Sequence, residues 1–247
     1  MKRLTRKSNM GSQGFSMIEL LIVMLMMSIL AGAVVNQIAV IQQRSRTDQA
    51  KVDIFQESRD FVDQFARDAH EAGYPSIRMY DTSSWTTVAA SPIYTDSRLA
   101  AGLILMGPSE VKFEGDVEGD GKVDIVDYKL VATGNNCPCL QRSAVDKASG
   151  SAVFSNEVQN VQSAGTNADP IFTGYKAVGT AVTSGDLTSL ANQQALAQIK
   201  TILIRLKTKS AVVDPKTQLA PETTVSGQVT IVNCSLATNS QPNSCLP

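Results

Sequence analysis

The sequence predicts an α+β protein: a long N-terminal α-helix, membrane-spanning in its first half, packed on an antiparallel β-sheet domain. Three observations predict it. Residues 20–35 are apolar apart from Ser28. Residues 33–72 then run on without proline or glycine in an amphipathic pattern. Residues 76–247 change to short segments rich in Val, Ile and Tyr, separated by stretches of Gly, Asn, Ser and Thr.

The chain starts with a basic run. Residues 1–14 hold Lys2, Arg3, Arg6 and Lys7 and no acid, so removing their four positive charges takes the net charge from −1 to −5. A mildly acidic body argues against a nucleic-acid groove. From Phe15 the apolar run is about the ~20 residues needed to cross a bilayer core. Basic residues before it and none within it hold the leader on the cytoplasmic side. A secretory signal would be cut after its apolar core at a small-residue site; here the core continues into a helical pattern. Glu19 lies near its start. A carboxylate costs ~2.5 kcal/mol or more near mid-membrane and less toward the interface, so Glu19 needs a partner.

Gly14, followed by Phe15-Ser16-Met17-Ile18-Glu19-Leu20 and the apolar run, resembles the processing site of type IV prepilins and type II secretion pseudopilins. The resemblance implies a pilin-like fold. It also implies cleavage after Gly14 by a membrane-embedded prepilin peptidase, and N-methylation of the new terminus, Phe15. Glu19 is then implied to neutralise the amino-terminus of a neighbouring subunit during assembly. A buried ammonium and a buried carboxylate are each tolerable only as a pair. Many major pilins carry a proline midway along this helix; here the stretch has Gly32 and Asn36 and no proline. That departure fits a minor subunit or a pseudopilin better than the main filament subunit.

Beyond Ile41, Val52, Phe55, Val62, Phe65, Ala69 and Ala72 recur at steps of three, four or seven, which predicts one buried helix face. Gly73-Tyr74-Pro75 ends the helix. His70 stands near that end with no nucleophile or ligand set beside it and reads as a surface or cap residue. The predicted divisions are a leader at 1–14, a transmembrane or filament-core helix at 15–43, the amphipathic half of the same helix at 44–73, and a β-rich domain at 74–247. Predicted strands cover 99–106, 111–113, 123–132, 139–142, 199–207 and 225–232, with a short helix at 186–197. Residues 143–170 and 208–224 read as loops. The order of pieces is similar to the PilW group of minor pilins and, less closely, to the J-type minor pseudopilin. The matching pieces are Ala72-Gly73-Tyr74, the Asp-Gly-rich residues 115–121 before Tyr128-Lys129-Leu130, Leu140-Gln141-Arg142, and Val229-Thr230-Ile231-Val232-Asn233.

Residues 116–127 place Asp116, Glu118, Asp120, Lys122 (through its carbonyl), Asp124 and Asp127 at calcium-loop spacing, with Gly121 at the sixth position. Glu118 replaces the usual Asp or Asn, and Asp127 the longer Glu. The same residues also favour a tight Asp-Gly turn, so the sequence leaves both readings open. Cys137, Cys139, Cys234 and Cys245 allow three pairings. A Cys234–Cys245 clip is worth ~3 kcal/mol in the chain-entropy model. A bridge across Pro138 is strained, which favours partners elsewhere for Cys137 and Cys139. Zinc spacing is absent.

Read together, the resemblance implies a minor pilin of a type IV pilus that enters the filament and promotes its assembly, with other minor pilins at the tip. A type II secretion pseudopilin and a tip adhesin are the alternatives. The implied partners are the prepilin peptidase, the inner-membrane assembly platform, the major pilin, other minor pilins and the membrane itself. The C-terminal domain is expected in the periplasm before assembly and at the cell surface afterwards. No nucleophile elbow, Walker loop or dinucleotide fingerprint is found, so no enzymatic activity and no required cofactor are expected.

Overall fold

The structure is a computed structural model that describes residues 15–76, 96–134, 137–186, 189–214 and 217–233. The chain divides into two units, Met1–Arg46 and Thr47–Pro247. Helix α1, Met17–Glu71, contributes to both.

In the first unit α1 is long and apolar enough to cross a membrane. Its side chains from Phe15 to Ala39 are all exposed. The one hydroxyl in the apolar stretch is satisfied within the helix: Ser28 Oγ donates to the carbonyls of Met24 and Leu25, 2.9 Å each.

In the second unit α1 buries Ile54, Ser58, Phe61, Phe65, Asp68 and Ala69. The steps of three and four make one stripe. The predicted stripe holds at Phe65, Ala69 and Ala72, which are buried, and at Val62, which packs against the core; it departs only toward its N-terminal end. Val52 and Phe55 are 47% and 45% exposed, whereas Ile54 and Phe61 face inward. Ser58 joins them as a polar member that an apolar count passes over. Its hydroxyl donates to Ile54 O at 2.7 Å and lies 3.2 Å from Thr208 Oγ1, so it is buried at no unmet cost.

The strands form two antiparallel sheets. Sheet one takes β1 (Leu103–Met106), β2 (Glu110–Gly115), β3 (Asp124–Val131), β4 (Cys139–Asp146) and β5 (Ser155–Val158) in sequential order. Sheet two takes β6 (Phe172–Lys176), β7 (Ala181–Val182), β8 (Ile199–Lys209) and β9 (Glu222–Thr230) in the order β7-β6-β8-β9, with α2 (Leu190–Ala197) between β7 and β8. The architecture is therefore α+β, with the amphipathic half of the helix packed against antiparallel sheets. The expected loop at 143–170 contains the end of β4 and all of β5, and that at 208–224 contains the end of β8 and the start of β9.

Phe65 stands where helix and sheets meet. Its ring centroid is 5.0 Å from Tyr128 and 6.1 Å from Phe113 in sheet one, and 5.6 Å from Phe172 in sheet two. Phe61 meets Tyr128 edge-on at 5.6 Å.

The helix exit is built against β2. Gly73 N donates to Glu114 O at 2.8 Å, and Asp116 N to Tyr74 O at 2.9 Å. Gly115 bridges Ala72. A Cβ on Gly115 would overlap the carbonyl of Glu71, so only glycine lets the two backbones approach this closely.

Candidate functional site

Glu19 lies in the first turn of α1, where the helix dipole favours a carboxylate. Phe15 is 77% exposed just before it. These two residues are the described part of the predicted processing and assembly segment. Gly14 and the leader lie outside the described residues, as do Cys234 and Cys245.

Residues 116–123 connect β2 to β3. Asp116 organises this loop: its Oδ1 accepts the N–H groups of Gly119 and Asp120 at 2.8 and 3.1 Å, and its Oδ2 accepts that of Gly121 at 2.9 Å. The turn needs positive φ at Gly119 and Gly121, 71° and 82°. Asp124 opens β3 and is 4% exposed. Its carboxylate accepts the N–H groups of Val117 and Glu118, so it points into the loop. Burial, with repulsion from Glu118 and Asp120, pushes its carboxyl above the usual range. Asp120 is exposed and pairs with Lys122 Nζ at 3.1 Å, which also lies 3.9 Å from Asp146.

Asp127 does not belong to this group. Side chains three apart on a strand point to opposite faces, and Asp127 pairs across the ladder with Lys112 at 3.0 Å. The twelfth position of a calcium loop is supplied by a helix, and here it falls inside a strand, which is the physical reason for the correction. As the side chains stand, no three His, Cys, Asp or Glu among the described residues are grouped to hold a metal ion.

Cys137 and Cys139 are joined to each other, with Cα atoms 4.3 Å apart. Of the pairings the sequence left open, this is the one that strain argues against: the two Cα atoms lie just below the usual lower limit of about 4.4 Å for a disulfide.

Two buried ion pairs went unnoticed in the sequence. Asp68 Oδ2 on α1 accepts from Tyr128 Oη at 2.6 Å and from Arg142 Nε at 2.7 Å, tying the helix to β3 and β4. Burial and the adjacent carboxylate push the Tyr128 phenol pKa up, so it stays a donor. Glu114 accepts from Lys147 Nζ at 2.7 Å and from Ala101 N at 2.8 Å, while Lys147 also donates to Leu99 O at 3.0 Å. Only separation in sequence hid these pairs, since each joins residues on distant elements.

Burial raises the Glu114 carboxyl above its ordinary value of 4.5, and Lys147 offsets this only in part. The stabilisation this group supplies is therefore complete below 4.5 and lost as pH rises through its raised folded value. We expect wild type to gain stability relative to Glu114→Gln as pH falls from neutrality toward 4.5, read as the difference in urea midpoints across that window. A flat difference would show that the carboxyl titrates alike in both states.

A cleft between α1 and the β4–β5 side is lined by Asp53, Glu57, Asp60 and Glu157, with Arg67 and Arg142. Glu57 accepts the Gln159 N–H at 2.9 Å, and burial raises its carboxyl. His70 is exposed, and its carbonyl accepts from Asn233 Nδ2 at 2.9 Å, a helix-end contact.

Residues 9–35 match the family model described as the prokaryotic N-terminal methylation motif. The match supports a type IV pilin- or pseudopilin-type protein, and it implies processing by a prepilin peptidase and association with a membrane. No curated protein matches the chain.

Proposed function

We propose that the chain is a minor pilin of a type IV pilus that joins the filament and promotes its assembly, with other minor pilins at the tip. The observation that carries this reading is the methylation motif at residues 9–35, which runs into the apolar start of α1 and takes in Glu19 in its first turn. After cleavage behind Gly14, Phe15 carries a methylated ammonium. Glu19 of one subunit neutralises that of its neighbour, and each charge makes burial of the other tolerable. The inner-membrane assembly platform moves the subunit from lipid into the filament, and the β domain contacts the major pilin and other minor pilins. The domain stands in the periplasm before assembly and at the cell surface after it. We read the role as structural, without catalysis or a required cofactor. The absence of a mid-helix proline favours a minor subunit and equally suits a type II secretion pseudopilin, which is the second reading.

The test is the surface pilus count by electron microscopy in a deletion strain, with and without a block on retraction. Loss of pili, partly restored when retraction is blocked, is the expected result. Unchanged pilus numbers would sink the assembly role. Reduced protein secretion in that strain would then favour the pseudopilin, and lost attachment alone a tip adhesin.

A further inference from the structure

The β2–β3 loop is shaped more tightly than a hairpin connection requires. Asp116 gathers three successive N–H groups, which fixes the backbone curl that oxygen-ligated cation loops use. The independent observation is Asp124. It is 4% exposed, it points into the loop through its bonds from Val117 and Glu118, and its Oδ2 is buried with no hydrogen-bond partner among the described residues. A buried carboxylate oxygen without a donor is costly, and the carboxylates of Glu118 and Asp120 are near enough to Asp124 to raise its carboxyl.

We propose that this loop binds calcium through the carboxylates of Asp116, Glu118, Asp120 and Asp124 and the backbone carbonyl of Lys122. The carboxylates are not grouped around one point as they stand, so binding turns Glu118 and Asp120 inward. Both are exposed, and turning Asp120 gives up its ion pair with Lys122 Nζ and the bond its Oδ1 accepts from the Lys122 N–H at 2.9 Å. Calcium fits better than magnesium because a flexible all-oxygen set tolerates irregular geometry, whereas magnesium demands a near-ideal octahedron. The loop ends at Asp124, and its other positions keep the order read from the sequence.

The experiment uses the mature chain in detergent, stripped with a chelator, in a calorimetric titration with calcium chloride and in thermal melts with calcium or magnesium. The expected dissociation constant is about 10⁻⁴ to 10⁻³ M, with a higher melting temperature in calcium than in equal magnesium. Asp124→Asn should abolish the response. Glu118→Gln, at an exposed position that does not threaten folding, should weaken binding about tenfold. Lys122→Ala should tighten it several-fold, because its ammonium competes for Asp120. No heat and no melting shift up to about 10 mM, ten times the top of the expected range, would overturn the proposal. So would a calcium response that Glu118→Gln and Asp124→Asn both retain.

Discussion

Phe65→Ala should cost the domain about 3–5 kcal/mol, the range for deleting a fully buried aromatic ring. Phe65 is fully buried and contacts Phe113, Tyr128 and Phe172. The cavity would open where three layers meet, and collapse of any one of them would pull it from another. The loss should sit at the upper end of the range for that reason. Urea denaturation of the mature chain, followed by near-ultraviolet circular dichroism, measures it. Phe65→Leu should recover most of the loss by keeping volume. A cost under about 1 kcal/mol for the alanine variant, below the range for any large core truncation, would mean that helix and sheets are not held through this ring.

Asp68→Ala should cost about 3 kcal/mol, because it leaves a buried phenol and a mostly buried guanidinium without their shared acceptor. The Asp68 carboxylate is almost fully buried, and Arg142 is about one-fifth exposed, so water compensates only the guanidinium. Asp68→Asn should lose roughly half as much, since its amide oxygen still accepts from Tyr128 while the charge facing Arg142 is gone. A double-mutant cycle with Arg142→Ala in the same denaturation experiment separates the terms. Strict additivity would show that the pair contributes nothing to the docking of the helix.

The parts legible in the sequence were those written in runs. The apolar stretch and the isolated Glu19 need only composition and order. The helix stop at Gly73 needs only turn chemistry: Gly73 has φ 85°. The stripe was legible at Phe65, Ala69 and Ala72 and missed at Ser58, whose hydroxyl meets one 150 residues away, a partner that no local pattern carries. Strands β5 and β7 escaped for a different reason. Ser155–Val158 reads S-N-E-V and Ala181–Val182 is two residues long, so neither offers an alternation to detect. The loop at 116–124 was legible as a spacing. That Asp127 leaves it for Lys112 depends on the register of β2 against β3, which the spacing does not contain.

The core of the second unit begins at Ile54 and, among the described residues, draws no member from the first unit. On the proposed reading, exchange of lipid for neighbouring protein around residues 15–39 changes the surroundings of a segment that supplies no residue to the core of the second unit. A subunit built in this way can leave one medium for another as a finished object.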